Sequence, residues 1–167
     1  MRQLTTHTPT DDLVVFHIGM RINKPWRPDA WLPTFFAMPP MLKELSRDPD
    51  SGMLDYRLLM GERGVTVVLW FRSADHVYRY ANNNEQQHRP AWLAFLRRGH
   101  KVPGAVGIWH ETYEIARAES FYGDMPTTGL ARAVGVEPIS SKRRTAGDRL
   151  QRRSSPRDVP VAKSALG

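Results

Sequence analysis

The sequence predicts an α+β fold in which helices cover one face of a four-stranded antiparallel sheet. Apolar runs of strand length occur at residues 13–20, 53–60, 65–72 and 106–115. Helical periodicity fills the intervals after the first run and after the third. The middle two runs are separated by the short glycine-containing turn GERG, residues 61–64, which is typical of a β-hairpin.

Length and composition favour one globular domain. The chain has 167 residues, of which 41% are hydrophobic, and it contains no cysteine. Disulfides, thiolate metal sites and a cysteine nucleophile are therefore excluded, and we expect a cytoplasmic protein. The first residues lack the apolar core of a signal peptide, and no apolar run approaches the ~20 residues of a membrane helix.

Positive charge is concentrated near the C-terminus. The formal net charge is +7, and residues 137–167 hold eight Lys/Arg against three Asp/Glu. These residues therefore carry +5 of the total, and the remainder carries +2. Such a tail can contact nucleic acid or an acidic membrane by charge alone. The more common role is a solubilising extension, so we expect neither nucleic acid nor membrane as a partner.

The first strand and the first helix can be located from their sequence patterns. The run LVVFHIGM, residues 13–20, is apolar on both faces, as in a buried strand. Pro28 and Asp29 suit the first turn of a helix. Apolar residues then recur every three or four positions, which places them on one helical face: Trp31, Phe35, Met38, Leu42 and Leu45. We expect Pro39 and Pro40 to divide this helix in two.

The second half of the domain repeats the strand–helix pattern. Ser73 is a suitable N-cap for one helix, and Pro90 and Gly99 are suitable limits for another. The last strand is VGIWHETYEI, residues 106–115. The resulting order, β-α-β-β-α-β, predicts a ferredoxin-like fold. We expect the third strand beside the first and the second beside the last, so that the first and last strands do not touch.

The sheet face away from the helices needs a cover, because the strands are apolar on both sides. In the first strand, Val14, Phe16 and Ile18 point one way, whereas Leu13 and Val15 point the other way. An exposed apolar sheet face is unfavourable in a monomer. We therefore predict a homodimer whose two sheets pack face to face.

Four regions are expected along the chain. Residues 1–12 form a flexible N-terminus, and residues 13–116 form the ferredoxin-like domain. Residues 117–134 keep aromatic and aliphatic side chains, which predicts an ordered arm that packs on the body or on the partner. Residues 135–167 are rich in Ser, Arg and Pro, which predicts a basic disordered tail.

Several stretches together resemble a known family, formerly a domain of unknown function and now grouped with the polyketide monooxygenase of fumagillin biosynthesis. They are FHIGMRIN (16–23), AMPPMLKEL (37–45), LWFRS (69–73), HRPAW (88–92), GIWHETY (107–113) and FYGDMPTTGL (121–130). The resemblance covers residues 13–130. It implies the dimeric α/β-barrel superfamily and a pocket between sheet and helices in each protomer. That superfamily includes cofactor-free oxygenases of aromatic polyketides and also haem enzymes, such as chlorite dismutases.

His110 is the main candidate for chemistry. It lies in the last strand with Val106, Ile108 and Thr112 on its side, and Glu111 points to the other face. A neutral imidazole there can accept a proton from a phenol or ligate haem iron. Alternatively, His110 is a buried core residue whose ring nitrogens are hydrogen-bonded.

Two further histidines are secondary candidates. His17, in the first strand, reaches the interior that holds His110 if the faces of the two strands agree; a structural role is the alternative. His88 precedes a helix and can shield the mouth of a pocket, or it is an exposed helix-entry residue. No histidine pair has the spacing of a zinc site, so we expect no metal; a haem would use His110 or His17.

Aromatic side chains are sufficient to line an apolar cavity, although such residues are more often core. The candidates for substrate binding are Trp31, Phe35, Trp70 and Trp92, together with His17 and His88. Arg21, Arg57 and Arg72 lie in or after strands, where each can bind an anionic group or remain solvated.

These observations lead us to expect a small monooxygenase that oxidises an apolar, aromatic or polyketide-like molecule. It would use no cofactor, because O₂ can react directly with a substrate carbanion. Two alternatives remain open. One is a haem enzyme on the same fold, and the other is a non-catalytic dimer that binds a small apolar ligand in the same pocket.

Overall fold

A computed structural model describes residues 3–10, 12–61, 63–82 and 88–150, with backbone alone for residues 88–92. The side chains of His88 and Trp92, and residues 151–167 of the expected tail, therefore lie outside the description. The elements in chain order are β1 (Leu4–His7), β2 (Val14–Ile22), α1 (Pro28–Arg47), β3 (Met53–Gly61), β4 (Gly64–Phe71), α2 (Ala74–Asn82), α3 (His88–Lys101), β5 (Val106–Glu114), β6 (Tyr122–Gly123), α4 (Leu130–Val134), β7 (Val136–Pro138) and α5 (Ala146–Arg149).

The main sheet has the order β3-β4-β2-β5, and each neighbouring pair is antiparallel. This order and the α+β class confirm the predicted ferredoxin-like fold. The third strand lies beside the first, as expected, because β4 pairs with β2. The expectations that the second strand lies beside the last and that the first and last strands do not touch were wrong. β2 pairs with β5 over nine residues, from Val14–Glu114 to Ile22–Val106, and β3 lies at the far edge. Each helical crossover joins strands that are two places apart, which leaves the first and last strands side by side.

The hydrophobic core lies between the main sheet and the helices. The sheet contributes alternate residues, since only every second side chain points to one face. The helices contribute Leu42, Leu45 and Val77. The buried strand residues packed with them are Val14, Val67, Leu69 and Phe71, with Phe16, Ile18, Met53 and Tyr56 at the margin.

Helix α1 is one continuous helix of 20 residues, although Pro33, Pro39 and Pro40 all lie inside it. The expectation that Pro39 and Pro40 would divide it was wrong. Both prolines are exposed, whereas Met38, Leu42 and Leu45 pack in the core on either side of them. Burial of this stripe outweighs the helical hydrogen bonds that the prolines remove.

Two turns flank β3, and the one at its end is the hairpin turn expected from GERG. Pro49–Ser51 form a 3₁₀ turn, and Gly52 adopts the left-handed conformation with φ 71°. Gly61 and Gly64 pair at the end of the β3–β4 hairpin. The predicted end of α3 at Gly99 was too early, because the helix continues to Lys101.

A second sheet, with the order β6-β1-β7, joins a strand before the main sheet to two strands after it. The expectation of a flexible N-terminus was therefore wrong for Leu4–His7, where Thr6 is fully buried. The expectation of a disordered tail was wrong for residues 136–149. Thr145 and Asp148 form a capping box that begins α5. These strands have two to four residues, too few for a visible alternation in sequence.

The segment after β5 packs on the main sheet, on the face away from the helices. Arg132 of α4 forms an ion pair with Asp55 at 2.7 Å and donates to the carbonyl of Tyr56. Arg57 donates to Thr128 Oγ1 at 3.1 Å. The residues 128–132 therefore cover the β3–β4 half of that face. Among the residues that the structure describes, no helix is long and apolar enough to span a membrane.

Candidate functional site

His110 lies on the helix side of the edge strand β5. It pairs with Ile18 of β2, and directly opposite residues of antiparallel strands point to the same face. Its ring centroid is 5.7 Å from that of Phe16, and its side chain is exposed. The ring makes no hydrogen bond to any residue that the structure describes. The buried, hydrogen-bonded alternative is therefore wrong, and the imidazole is open to a ligand.

His17 and His110 lie on opposite faces of the main sheet. His17 pairs with Glu111 and Val68, and its ring contacts the ring of Tyr113 at 5.6 Å. The condition for a shared interior, that the faces of the two strands agree, is therefore not met. His17 instead belongs to a polar group on the other face, where Tyr113 donates to Glu111 at 2.6 Å. This hydrogen bond raises the pKa of the Tyr113 hydroxyl.

The predicted aromatic lining is divided between the two faces. Trp31 and Phe35 are half-buried on α1; Trp31 Nε1 donates to the carbonyl of Pro25 at 3.1 Å, and Phe35 contacts Phe36 edge-on. Trp70 pairs with Val15 and Asp55, which places it on the face away from the helices. The expectation that Trp70 lines the same pocket as Trp31 was therefore wrong. It is buried, and a side chain added at Gly129 would lie 3.7 Å from its indole.

The second sheet holds a buried histidine that the sequence pattern did not single out. His7 is 3% exposed, and its Nδ1 lies 2.8 Å from Ser120 Oγ, which also accepts the His7 backbone N–H at 3.0 Å. Because Ser120 accepts that N–H, its hydroxyl can donate to Nδ1 of a neutral ring. Burial, assisted by the charge of Arg143, lowers the pKa of His7. No sequence spacing could have linked residues 113 positions apart.

Within the described part of the chain, no group of three or more His, Asp or Glu side chains is placed to hold a metal ion. A surface groove of about 490 Å³ lies along the last turns of α1, lined by Pro40, Lys43, Glu44, Arg47 and Asp48. Four of its five lining residues are charged and all lie at one helix end, so the groove is unsuited to an apolar substrate.

Comparison with solved structures finds similar but distant folds. SnoaB, a cofactor-independent oxygenase from Streptomyces nogalater, is 13% identical, with a TM-score of 0.40 over 61% of this chain and 91% of that one. A candidate antibiotic biosynthesis monooxygenase from Caulobacter crescentus is 14% identical, with a TM-score of 0.40 over 60% and 90%. A possible oxidoreductase from Bacteroides thetaiotaomicron is 10% identical, with a TM-score of 0.42 over 64% and 100%. No curated protein matches the chain. At these identities and TM-scores no activity is transferred from the neighbours.

The sequence itself matches a family model over residues 13–130, which is most of the chain and includes β2 through β6. The match contains His110 and the whole main sheet, whereas β1, β7 and α5 lie outside it. The chain belongs to the family described as Monooxygenase af470-like.

Proposed function

We propose that the protein is a small monooxygenase of an apolar, aromatic or polyketide-like substrate, with His110 as the catalytic base. The observation that carries this proposal is the open imidazole on the helix side of β5, beside the ring of Phe16. Membership of a monooxygenase family supports the reaction class. The half-buried rings of Trp31 and Phe35 on α1 are suited to a flat substrate.

The chemistry needs only a base, an acidic substrate and O₂. A CH₂ group flanked by electron-rich rings gives a proton to neutral His110, and the resulting carbanion reduces O₂. The hydroperoxide that forms on this carbon then loses water and leaves a ketone. The two C–H bonds supply all four electrons, one oxygen atom enters the product, and the other leaves as water. We therefore propose no resident cofactor.

The test is oxygen consumption with 1,8-dihydroxyanthrone, corrected for its spontaneous oxidation. We expect His110→Ala to lower the enzymatic rate by about 10²–10⁴-fold, the usual contribution of a general base. His100→Ala is the matched control, since His100 is an exposed histidine on α3. Labelled ¹⁸O₂ should place one atom in the product.

The result also decides between catalysis and simple binding. Binding of the anthrone without oxygen uptake would leave a non-catalytic ligand-binding protein. A wild-type rate that His110→Ala leaves unchanged would remove His110 from the mechanism. A Soret band in the purified protein would replace the cofactor-free reaction by haem chemistry.

We also propose a homodimer, formed through the face of the main sheet away from the helices. Residues 128–132 cover only the β3–β4 half of that face. The β2–β5 half presents Trp109 and Tyr113, which are 39% and 46% exposed, beside the half-buried His17. A second copy can bury this half, and its own residues 128–132 would lie at the margin of the interface.

A further inference from the structure

Helix α3 presents an arginine on its inner side. Among residues 93–101, the half-buried side chains are Ala94, Phe95 and Arg98, and the others are exposed. Val102, which follows the helix, is also half-buried. Steps of three and four define one helical face. Arg98 therefore lies on the face that α3 turns toward the sheet and α1, not on the solvent side.

The guanidinium of Arg98 is not neutralised by the residues that the structure describes. Its Nε is buried and has no hydrogen-bond partner among them. By contrast, two half-buried or buried arginines that follow β7 are paired: Arg149 with Glu119, and Arg143 with Glu137. A buried donor without an acceptor is unfavourable and calls for a physical explanation. An anionic group of a bound ligand would supply the missing acceptor and a countercharge.

A second unpartnered group lies on the facing helix. Thr34 is half-buried on the inner side of α1, between Ala30 and Met38, and its hydroxyl is buried without a partner in the described part of the chain. Helices α1 and α3 are in contact. Two polar groups without partners thus belong to the layer between the helices and the sheet, on the same side of the sheet as His110.

Backbone geometry gives the offset between Arg98 and His110. Arg98 lies four residues before Val102, the first residue after α3, and His110 lies four residues after Val106, the first residue of β5. A helix rises 1.5 Å per residue and a strand about 3.3 Å, so ideal elements that run parallel would place Arg98 ~6 Å and His110 ~13 Å below the turn. The difference, ~7 Å along the strand direction, is about the length of two fused aromatic rings.

We propose that this site selects an anionic aromatic ligand, with Arg98 as the counter-ion for its carboxylate or enolate oxygen. The inference rests on the proposed function, because it assigns the substrate class of the same site. Arg98 binds the anion at one end of the ligand, and the other end reaches His110. A neutral ligand of equal size leaves the guanidinium without an acceptor and binds more weakly.

The test compares 2-naphthoate with 2-naphthylmethanol, a neutral probe with the same rings, by titration calorimetry of the full chain at pH 7.5. We expect the wild-type protein to bind the naphthoate roughly tenfold more tightly or better, as for a charge-assisted hydrogen bond. Arg98→Gln should abolish this preference and leave the affinity for the alcohol unchanged. Arg97→Gln is the matched control, because it removes the same charge from the neighbouring exposed position.

The outcomes separate the inference from the proposed function. The inference alone is overturned if the wild-type protein binds the two probes equally. It is also overturned if Arg97→Gln and Arg98→Gln lose the preference for naphthoate to the same extent. Failure of both probes to bind overturns the apolar site itself, and with it both proposals. If Arg98→Gln loses both probes, Arg98→Lys decides: a retained preference for naphthoate supports the inference, and equal binding overturns it.

Discussion

The register between β2 and β5 determines what each histidine of the main sheet can do. Because Ile18 lies opposite His110, the imidazole points to the helix side of the sheet. The side chains of the adjacent pair, His17 and Glu111, point to the other side. A shift by one residue would exchange the two faces. The strand itself and the alternation within it could be predicted from the sequence. The pairing of two strands could not, since it depends on contacts between residues 84 to 100 positions apart.

His7 is expected to make stability depend on pH. Its pKa is lowered below 6.5, first by burial and then by the charge of Arg143. Below pH 6.5 the unfolded chain therefore binds a proton that the folded protein takes up only at lower pH. The contribution of neutral His7 to the free energy of unfolding should be fully present above pH 6.5. It should be lost as the pH falls toward the lowered pKa of His7.

The measurement is urea unfolding between pH 5 and pH 8 for the wild type and His7→Gln. The fall in unfolding free energy below pH 6.5 should be smaller in the variant. His100→Gln, at an exposed site on α3, should keep the wild-type slope. Parallel curves for wild type and His7→Gln would contradict the assignment.

Thr34→Val should stabilise the protein without a ligand. The change replaces a buried hydroxyl that has no partner among the described residues by a methyl group of similar shape. A buried unsatisfied polar group costs about 1–3 kcal/mol, so the free energy of unfolding should rise by up to that amount. Chemical denaturation at pH 7 measures it. A decrease of 1 kcal/mol or more would show that the hydroxyl is paired in the folded protein.

At the level of the elements, α1 shows how burial overrides local preference. Three internal prolines oppose a helix of 20 residues, yet Leu42 and Leu45 are buried beyond Pro39 and Pro40. A proline signal in sequence carries no information on whether the ring will face solvent. The length of this helix could therefore not be predicted from the sequence. Its apolar stripe and its start at Pro28 could be predicted.

Pro39→Ala should strengthen α1. Pro39 is exposed, so the substitution leaves no cavity, and it restores a backbone N–H for the helix. Proline costs about 3 kcal/mol relative to alanine inside a helix, and its stiffening of the unfolded chain offsets up to ~1 kcal/mol. We expect a gain of about 2–3 kcal/mol in the free energy of unfolding. Pro103→Ala, at an exposed position outside the helices, is the control and should show no gain.

At the level of the whole molecule, the arrangement of covered and uncovered surface makes the proposed dimer testable. Tyr113→Arg places a charge in the β2–β5 half of the open sheet face. Tyr78→Arg makes the same change at an exposed tyrosine on α2. Light scattering should give the wild type and Tyr78→Arg twice the 19.1 kDa chain mass, and Tyr113→Arg the single mass. A monomeric wild type would remove the dimer, and a dimeric Tyr113→Arg would move it to another surface.

The second sheet has a consequence for the order in which the protein can fold during synthesis. β1 is its central strand, and its partner strands β6 and β7 begin at Tyr122 and Val136. All strands of the main sheet, by contrast, are complete at Glu114. At about 5–20 residues per second, a ribosome needs roughly 6–26 s to extend the chain from His7 to Val136. Both edges of β1 lack their partners until Tyr122 is made, and the edge that pairs with β7 lacks its partner until Val136 is made. The main sheet can therefore form first, and β1 can pair only after β6 and β7 have been made.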